Sequence, residues 1–220
     1  TLRLLTASFG MYGGANDNKS DGLTTMWNAQ RDRLAYQYRS LSDGDGSWYS
    51  MRGNVDYQRT SKKNKDRMIT LSYKISTQPQ NSDYYTDYKD PFEMDIVKKF
   101  LLNNSHSDGK TNTTEHTFQV DYTTPIGKLH TIEAGAKYII RNNLSDNKLF
   151  EAEGVSDNYE YNNDRSSKYK HLNDILAAYL GYTLRYKTFS FKPGVRYEYT
   201  SQDVKYLAGA IGPEADFSTS

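Results

Sequence analysis

The chain has 220 residues, a formal net charge of +1, no cysteine and 20 tyrosines, with a mean hydropathy of -0.87. The missing cysteines exclude disulfide scaffolds and thiolate metal sites, and the near-zero charge gives no global field to draw in nucleic acid. No apolar run reaches the ~18 residues that a transmembrane helix needs, a limit that does not bear on a transmembrane barrel, whose strands alternate. So polar a chain invites a reading of disorder, but 14% aromatic residues set in a clear period of two speak against it.

In chain order, strands are expected over Thr1–Phe9 and Thr24–Tyr38, where Arg31, Asp32 and Arg33 interrupt the apolar alternation. Ser40–Gly46 (SLSDGDG) reads as a connection. Its Asp43-Gly44-Asp45-Gly46 run has the look of a calcium turn but lacks the other ligands of such a loop, so a plain Asp-Gly turn is the expectation. Further strands follow over Ser47–Thr60, Arg67–Thr77, Thr114–Thr123, Leu129–Arg141, His171–Tyr186 and Thr188–Thr200. Most are about ten residues or more, long for a globular protein and matched to the ~9–11 tilted residues that cross a bilayer.

The connections alternate in length. Ser61–Asp66, Thr124–Lys128 and the step at Lys187 are short, whereas Gln78–Thr113, Asn142–Lys170 and the segment from Ser201 onward are long and rich in Asn, Asp and Ser. Short turns at one rim and long loops at the other are the habit of outer-membrane barrels. Within the longest loop, Pro91–Asn104 (PFEMDIVKKFLLNN) combines an N1-type proline with apolar residues at helical spacing and is expected to form a short helix.

Two hairpins resemble one another, His116–Ile140 and Asp174–Thr200, with Gly135, Lys137 and Tyr138 falling on Gly194, Arg196 and Tyr197. One register places Val55, Leu71, Tyr73, Phe118, Val120, Ala136, Leu176, Leu180, Val195 and Tyr197 together on an outward face. The other would expose Asp56, Asp121, Glu133, Lys137, Lys192, Arg196 and Glu198 to lipid, at roughly 2–4 kcal/mol for each midplane Lys or Arg. The first is therefore the expected register. Glu133, Lys137, Arg196 and Glu198 then line the lumen, where charges either pair across strands or touch a substrate. Tyr57, Tyr122 and Tyr186 near the short turns, and Tyr38, Tyr49, Tyr138, Tyr197 and Tyr199 toward the long loops, read as two aromatic girdles. Tyrosine is also simply a good strand former.

No catalytic or cofactor fingerprint is present: there is no nucleophile elbow, phosphate loop or dinucleotide motif, and none of the four histidines has helical zinc spacing. His116 and His130 lie on opposite strands of one hairpin, so a cross-strand pair is conceivable, with ordinary interfacial histidines the stronger expectation. Trp48, Tyr84, Tyr85, Tyr88, Tyr159 and Tyr161 lie in or beside the long loops among Asn and Asp. They are the candidate ligand-binding residues, for aromatic faces with nearby amides suit sugars or peptides, and packing of loop against loop accounts for them equally well.

The segments GNVDYQRT (Gly53–Thr60), TLSYKIST (Thr70–Thr77), HTFQVDYTTPIGKLHTIEAGAKYI (His116–Ile139), ILAAYLGY (Ile175–Tyr182) and GVRYEYT (Gly194–Thr200) resemble the barrel region of Bacteroidetes outer-membrane proteins related to TonB-dependent receptors. The resemblance runs from about Trp48 to Leu207. It implies outer-membrane lipid around the wall, a plug domain in the lumen, an energy-coupling protein across the periplasm, and uptake of a small nutrient without enzymatic chemistry or cofactor. The sequence departs from that pattern in showing no plug, no energy-coupling box and about eight strands against about 22. Together with a start at Thr1 lacking Met or signal sequence, this suggests an excised stretch of a larger barrel or a reduced relative. Such a stretch would close more tightly, stay an open sheet or pair its edges with a second copy. The expected fold is all-β, an antiparallel up-and-down meander of about eight long strands in a single barrel region over residues 1–220. A soluble all-β binding module that buries the same apolar face, and a structural outer-membrane barrel without transport, are the competing expectations.

Overall fold

The computed structural model describes residues 2–93, 102–209 and 217–219. Ten strands form one antiparallel sheet: β1 (Arg3–Trp27), β2 (Leu34–Thr60), β3 (Met68–Phe92), β4 (Ser105–Ile126), β5 (His130–Glu151), β6 (Glu160–Tyr161), β7 (Ser167–Tyr186), β8 (Phe189–Phe191), β9 (Gly194–Gly209) and β10 (Phe217–Thr219). The order is β1-β2-β3-β4-β5-β7-β9-β10, with β6 added to β5 and β8 to β7. The meander is the expected one. Among the described residues no pairing joins β1 to β9 or β10, so this stretch of wall has two free edges.

The long strands, of 16 to 27 residues, run past the expected spans of about ten residues or more. β2 has 27 residues, a rod of about 90 Å at roughly 3.3 Å per residue. The segments Gln78–Thr113 and Asn142–Lys170, expected as loops, are largely strand: β3 runs on to Phe92, β4 begins at Ser105, β5 reaches Glu151 and β7 begins at Ser167. Side chains of these extensions are mostly polar on both faces, so hydropathy gives no alternation there, yet the backbone ladder carries on through them except where β2–β3 pairing lapses opposite Pro79. Pro91 and Phe92 close β3, and the rest of the expected helix, apart from Glu93 and the stretch 102–104, lies outside the described residues.

The first hairpin is also placed differently. Thr24–Tyr38 is not one strand, because the chain turns inside it. Asn28 accepts from the backbone N–H of Asp32 (3.2 Å) and Arg33 (3.3 Å), and Arg31 takes the left-handed conformation at φ 59°. The Arg-Asp-Arg interruption is that turn. Asp43-Gly44-Asp45-Gly46 lies mid-strand in β2. A Cβ on Gly44 would sit 2.2 Å from the Tyr84 ring, and one on Gly46 2.8 Å from the Asn16 side chain, so these glycines make room for neighbours on the same face. The short turns fall as expected, with Asn64 capping Asp66 N–H at 3.0 Å, Gly127 at φ +68° and Lys187 at φ 54°.

The register puts all the outward-assigned residues on one face. Val55, Tyr73, Phe118, Tyr138, Leu176 and Tyr199 lie side by side across six strands, as do Tyr57, Leu71, Val120, Ala136, Ala178 and Tyr197. On the opposite face the neighbouring row is Asp56, Ser72, Gln119, Lys137, Ala177 and Glu198. Tyr38 pairs with Thr24 and falls on the polar face, which removes it from the girdle.

Nothing in the described residues covers the apolar face. Ala152 and Ala177 are the buried hydrophobics, while Leu71, Phe118, Tyr122, Leu176, Leu180 and Tyr197 are exposed. The accessible surface of 15151 Å² is about one and a half times that of a compact protein of this mass. A soluble module would bury this face, and the sheet does not.

The apolar belt slants across the hydrogen-bonded rows. In β2 it ends at Tyr57, beside Arg59, yet β9 and β8 carry it beyond the partner Tyr197 to Val195, Phe191 and Phe189. At the other limit Asp174 ends it in β7, in register with Gly53, while β2 continues with Met51 and Tyr49. The turns step the same way, from Thr60–Met68 to Ile126–His130 to Tyr186–Phe189. A belt oblique to the rows means strands tilted through a level slab, as barrel closure and membrane crossing both demand.

Candidate functional site: a polar face below and an aromatic crown above

Within the belt, the polar face is a run of paired charges. Arg141 donates through Nε (2.9 Å) and Nη2 (2.7 Å) to Glu115 Oε2 on the neighbouring strand. Tyr179 donates its hydroxyl to Asp121 Oδ1 at 2.5 Å, and Gln119 donates to Oδ2 at 2.8 Å. Tyr179 reaches across an intervening strand because Gly135 stands between them in the row. A Cβ there would lie 2.4 Å from the tyrosine ring, so the ring lies flat over the glycine. Gly194, its counterpart in the repeat, has no ring over it; its nearest neighbour is the Leu180 carbonyl at 3.4 Å.

The four charges expected to line the lumen share this face but do not form one patch. Glu133 pairs with Lys192 at 2.6 Å and Arg196 with Glu198 at 2.5 Å. Lys137 stands between Gln119 and Ala177 in its row and makes no ion pair among the described residues. Further toward the long connections the same face opens into a groove of about 660 Å³, whose lining includes Arg52, Asn54, Lys74, Gln78, Glu115 and Thr117. Sequence reasoning missed this groove, because Arg52, Lys74 and Glu115 come from three strands and only the register brings them together.

The six candidate aromatics divide between the faces. Trp48, Tyr84 and Tyr88 are on the polar side. Trp48 meets Tyr12 edge-on at 5.8 Å, and the Arg52 guanidinium lies 5.5 Å from the Tyr12 ring centre. Tyr88 meets Tyr38 edge-on at 5.7 Å. Tyr85, Tyr159 and Tyr161 belong to the other side, where His106 stacks on Tyr85 at 4.0 Å and Phe150 joins His106 to Tyr161. Burial, and then the carboxylate of Asp87 that accepts its hydrogen bond, push the Tyr159 phenol above its ordinary range. The even spacing of four between Tyr84 and Tyr88, and the single step from Tyr84 to Tyr85, carry this division once the segment is known to be strand.

His116 and His130 do not form a pair. They are paired with Ile140 and Ile126 at opposite ends of the hairpin, and bond Tyr73 at 2.9 Å and Tyr182 at 2.5 Å. Among the described residues no group of three His, Asp or Glu side chains is placed to hold a metal ion.

The model of an outer membrane protein beta-barrel family matches residues 58–210, nearly the stretch that carries the resemblance seen in the sequence. The chain belongs to this family. Membership places the protein in the outer membrane and turns the apolar belt to lipid and the polar face inward. A shallow apolar groove of about 500 Å³ among Tyr57, Leu71, Tyr73, Phe118, Tyr138 and Leu176 then lies at acyl-chain depth. No curated protein matches the chain.

Proposed function

We propose that the chain is wall of a TonB-dependent-receptor-like barrel that takes up a small nutrient without chemical transformation. The observation that carries this reading is the order of groups along the inward face. Trp48, Tyr84 and Tyr88 lie above the belt, the Arg52–Lys74–Glu115 groove lies below them, and the Glu133–Lys192 and Arg196–Glu198 pairs lie nearest the short turns. A ligand entering from outside meets rings first, which bind by area and orientation, and then a wet charged passage. In this reading a plug domain contacts the lower charges, and an energy-coupling protein moves it.

The test is complementation. Cells lacking the full-length protein should fail to grow on one class of scarce nutrient, whether glycan, peptide or metal chelate. Wild type should restore growth in a manner that collapses with the proton-motive force. Replacing Trp48, Tyr84 and Tyr88 together by Ala should raise the nutrient concentration needed at least tenfold at unchanged protein level. Unaltered growth on every nutrient, with a leaky envelope instead, would give the protein a structural role and end the uptake reading.

A further inference from the structure

Above the belt, the side of the wall turned away from the lumen carries a groove that uptake does not use. It measures about 310 Å³ and is lined by Lys19, Asp21, Leu41, Asp43, Tyr85 and Asp87, with Ser20 and Ser42 beneath. Tyr85 stands in register between Asp43 on β2 and His106 on β4. Its ring is parallel to the His106 imidazole, 4° apart in plane and 4.0 Å in centre. A ring stacked toward β4 presents its opposite face to β2, and therefore to the groove.

The surrounding groups hold that platform still. His106 is fixed by Asp83 at 2.9 Å, and Tyr159 meets Tyr85 edge-on at 6.3 Å while donating its hydroxyl to Asp87. Lys19 orients Asp43 at 2.9 Å, and Arg39 orients Asp21. A carboxylate has about four acceptor positions, so each of these, once oriented by a single partner, keeps some for a ligand.

We propose that this groove binds one pyranose ring of a neutral or amino sugar, stacked on the free face of Tyr85 and donating hydroxyl bonds to Asp43 and Asp87. The negative face of the phenol ring attracts the weakly positive C–H side of a sugar, and ionised acceptors take its hydroxyl protons strongly. Three carboxylates against one lysine in the lining disfavour a uronic acid. The volume is at the lower end of the roughly 300–1,000 Å³ of ligand pockets, room for one ring rather than a chain. Tyr85 is ten residues beyond Ile75, the last apolar residue of the belt in β3. That is about 33 Å along the strand at roughly 3.3 Å per residue, well outside the acyl region even after tilt. Sugar reaches that height either as a free saccharide or on an outer-leaflet glycolipid, and the ring chemistry is the same.

The experiment titrates the full chain, first in detergent and then in nanodiscs with and without glycolipid, against methyl glucoside, methyl glucosaminide and methyl glucuronide by ligand-observed NMR. We expect saturable binding of the first two and at least tenfold weaker binding of the third. Tyr85→Ala should abolish binding, Tyr85→Trp should keep it within about threefold, and Asp43→Asn or Asp87→Asn should weaken it several-fold. Displacement of the glycoside by glycolipid assigns the membrane source, and unchanged binding assigns the free source. No saturable binding in any medium, or binding that survives Tyr85→Ala in a chain still folded by heat-modified gel mobility, would overturn the proposal. The uptake reading stands or falls separately, because these residues face away from the lumen.

Discussion

The lower and upper halves of the same strands obey different rules. Below, from Ile69 to Ile75 in β3, apolar and polar side chains alternate and one face is built for lipid; above, from Asn81 to Asp87, both faces are polar and the strand continues without a break. What persists through the change is the backbone ladder, interrupted only opposite Pro79, where β2–β3 pairing lapses between Trp48–Gln80 and Met51–Thr77 because proline has no N–H to give. Alternation therefore marks where the membrane is, and it does not mark where the strand ends.

The largest expected effect separates the halves outright. Val120→Arg puts a charge in the middle of the belt and should cost about 2–4 kcal/mol, read as a lowered urea midpoint in lipid vesicles. Asn81→Arg, on the same side of the wall but above the belt, should change stability by less than about 0.5 kcal/mol. Equal losses at the two positions would erase the distinction.

Glycines sharpen it. Gly135→Ala drives a methyl group into the Tyr179 ring, which is anchored by its bond to Asp121, so the ring has to leave that bond; about 1–3 kcal/mol is expected. Gly44→Ala meets the Tyr84 ring as closely, but Tyr84, as exposed as Tyr179, has no such anchoring hydrogen bond, so its ring swings away at smaller cost. Urea titration of the two variants, with Gly10→Ala as a control because open space lies above it, checks the order.

Much of the lower half was legible in the sequence. Charge and hydropathy at a period of two chose the register of β2 to β9 correctly, because a one-residue slip would have turned Lys137, Arg196 and Glu198 to lipid. The upper half was not legible, since hydropathy is silent where both faces are wet. The Asp-Gly run of β2 passed for a turn although its glycines lie under Tyr84 and beside Asn16, and the true turn at Asn28–Arg33 passed for a blemish in a strand. The candidate aromatics suffered the same way: without the strand through Tyr84 and Tyr85, nothing assigns the two rings to opposite sides of the wall.

pH supplies a test confined to the upper half. A phenol whose folded pKa is raised holds its proton more tightly in the folded state. The contribution of Tyr159 is therefore complete below the ordinary value of 10.0 and is lost as pH rises through the folded value. Stability should fall above pH 10 more steeply in wild type than in Tyr159→Phe, and tyrosinate absorbance should show one late-ionising phenol that the variant lacks.

The smallest expected effect concerns a row in which Asp17, Asp45, Asp83 and Asp108 stand side by side on β1 to β4. Like charges directly opposite repel; His106 and Lys110 relieve Asp83 and Asp108 and Lys19 attracts Asp17, while Asp45 makes no ion pair among the described residues. Asp45→Asn should raise the thermal midpoint slightly, by the equivalent of a few tenths of a kcal/mol, with the gain shrinking as salt is added.

The most direct test of the account exploits the absence of native cysteine. Single cysteines placed in turn from residue 69 to residue 87 of β3, labelled with a fluorophore in lipid vesicles, should be quenched by a lipid-dissolved quencher at 69, 71, 73 and 75. The alternate positions 70, 72 and 74 should be spared, and every position from 81 onward should be spared on both faces. Quenching that alternates all the way to residue 87, or that shows no alternation between 69 and 75, would contradict a belt confined to the lower half of the wall.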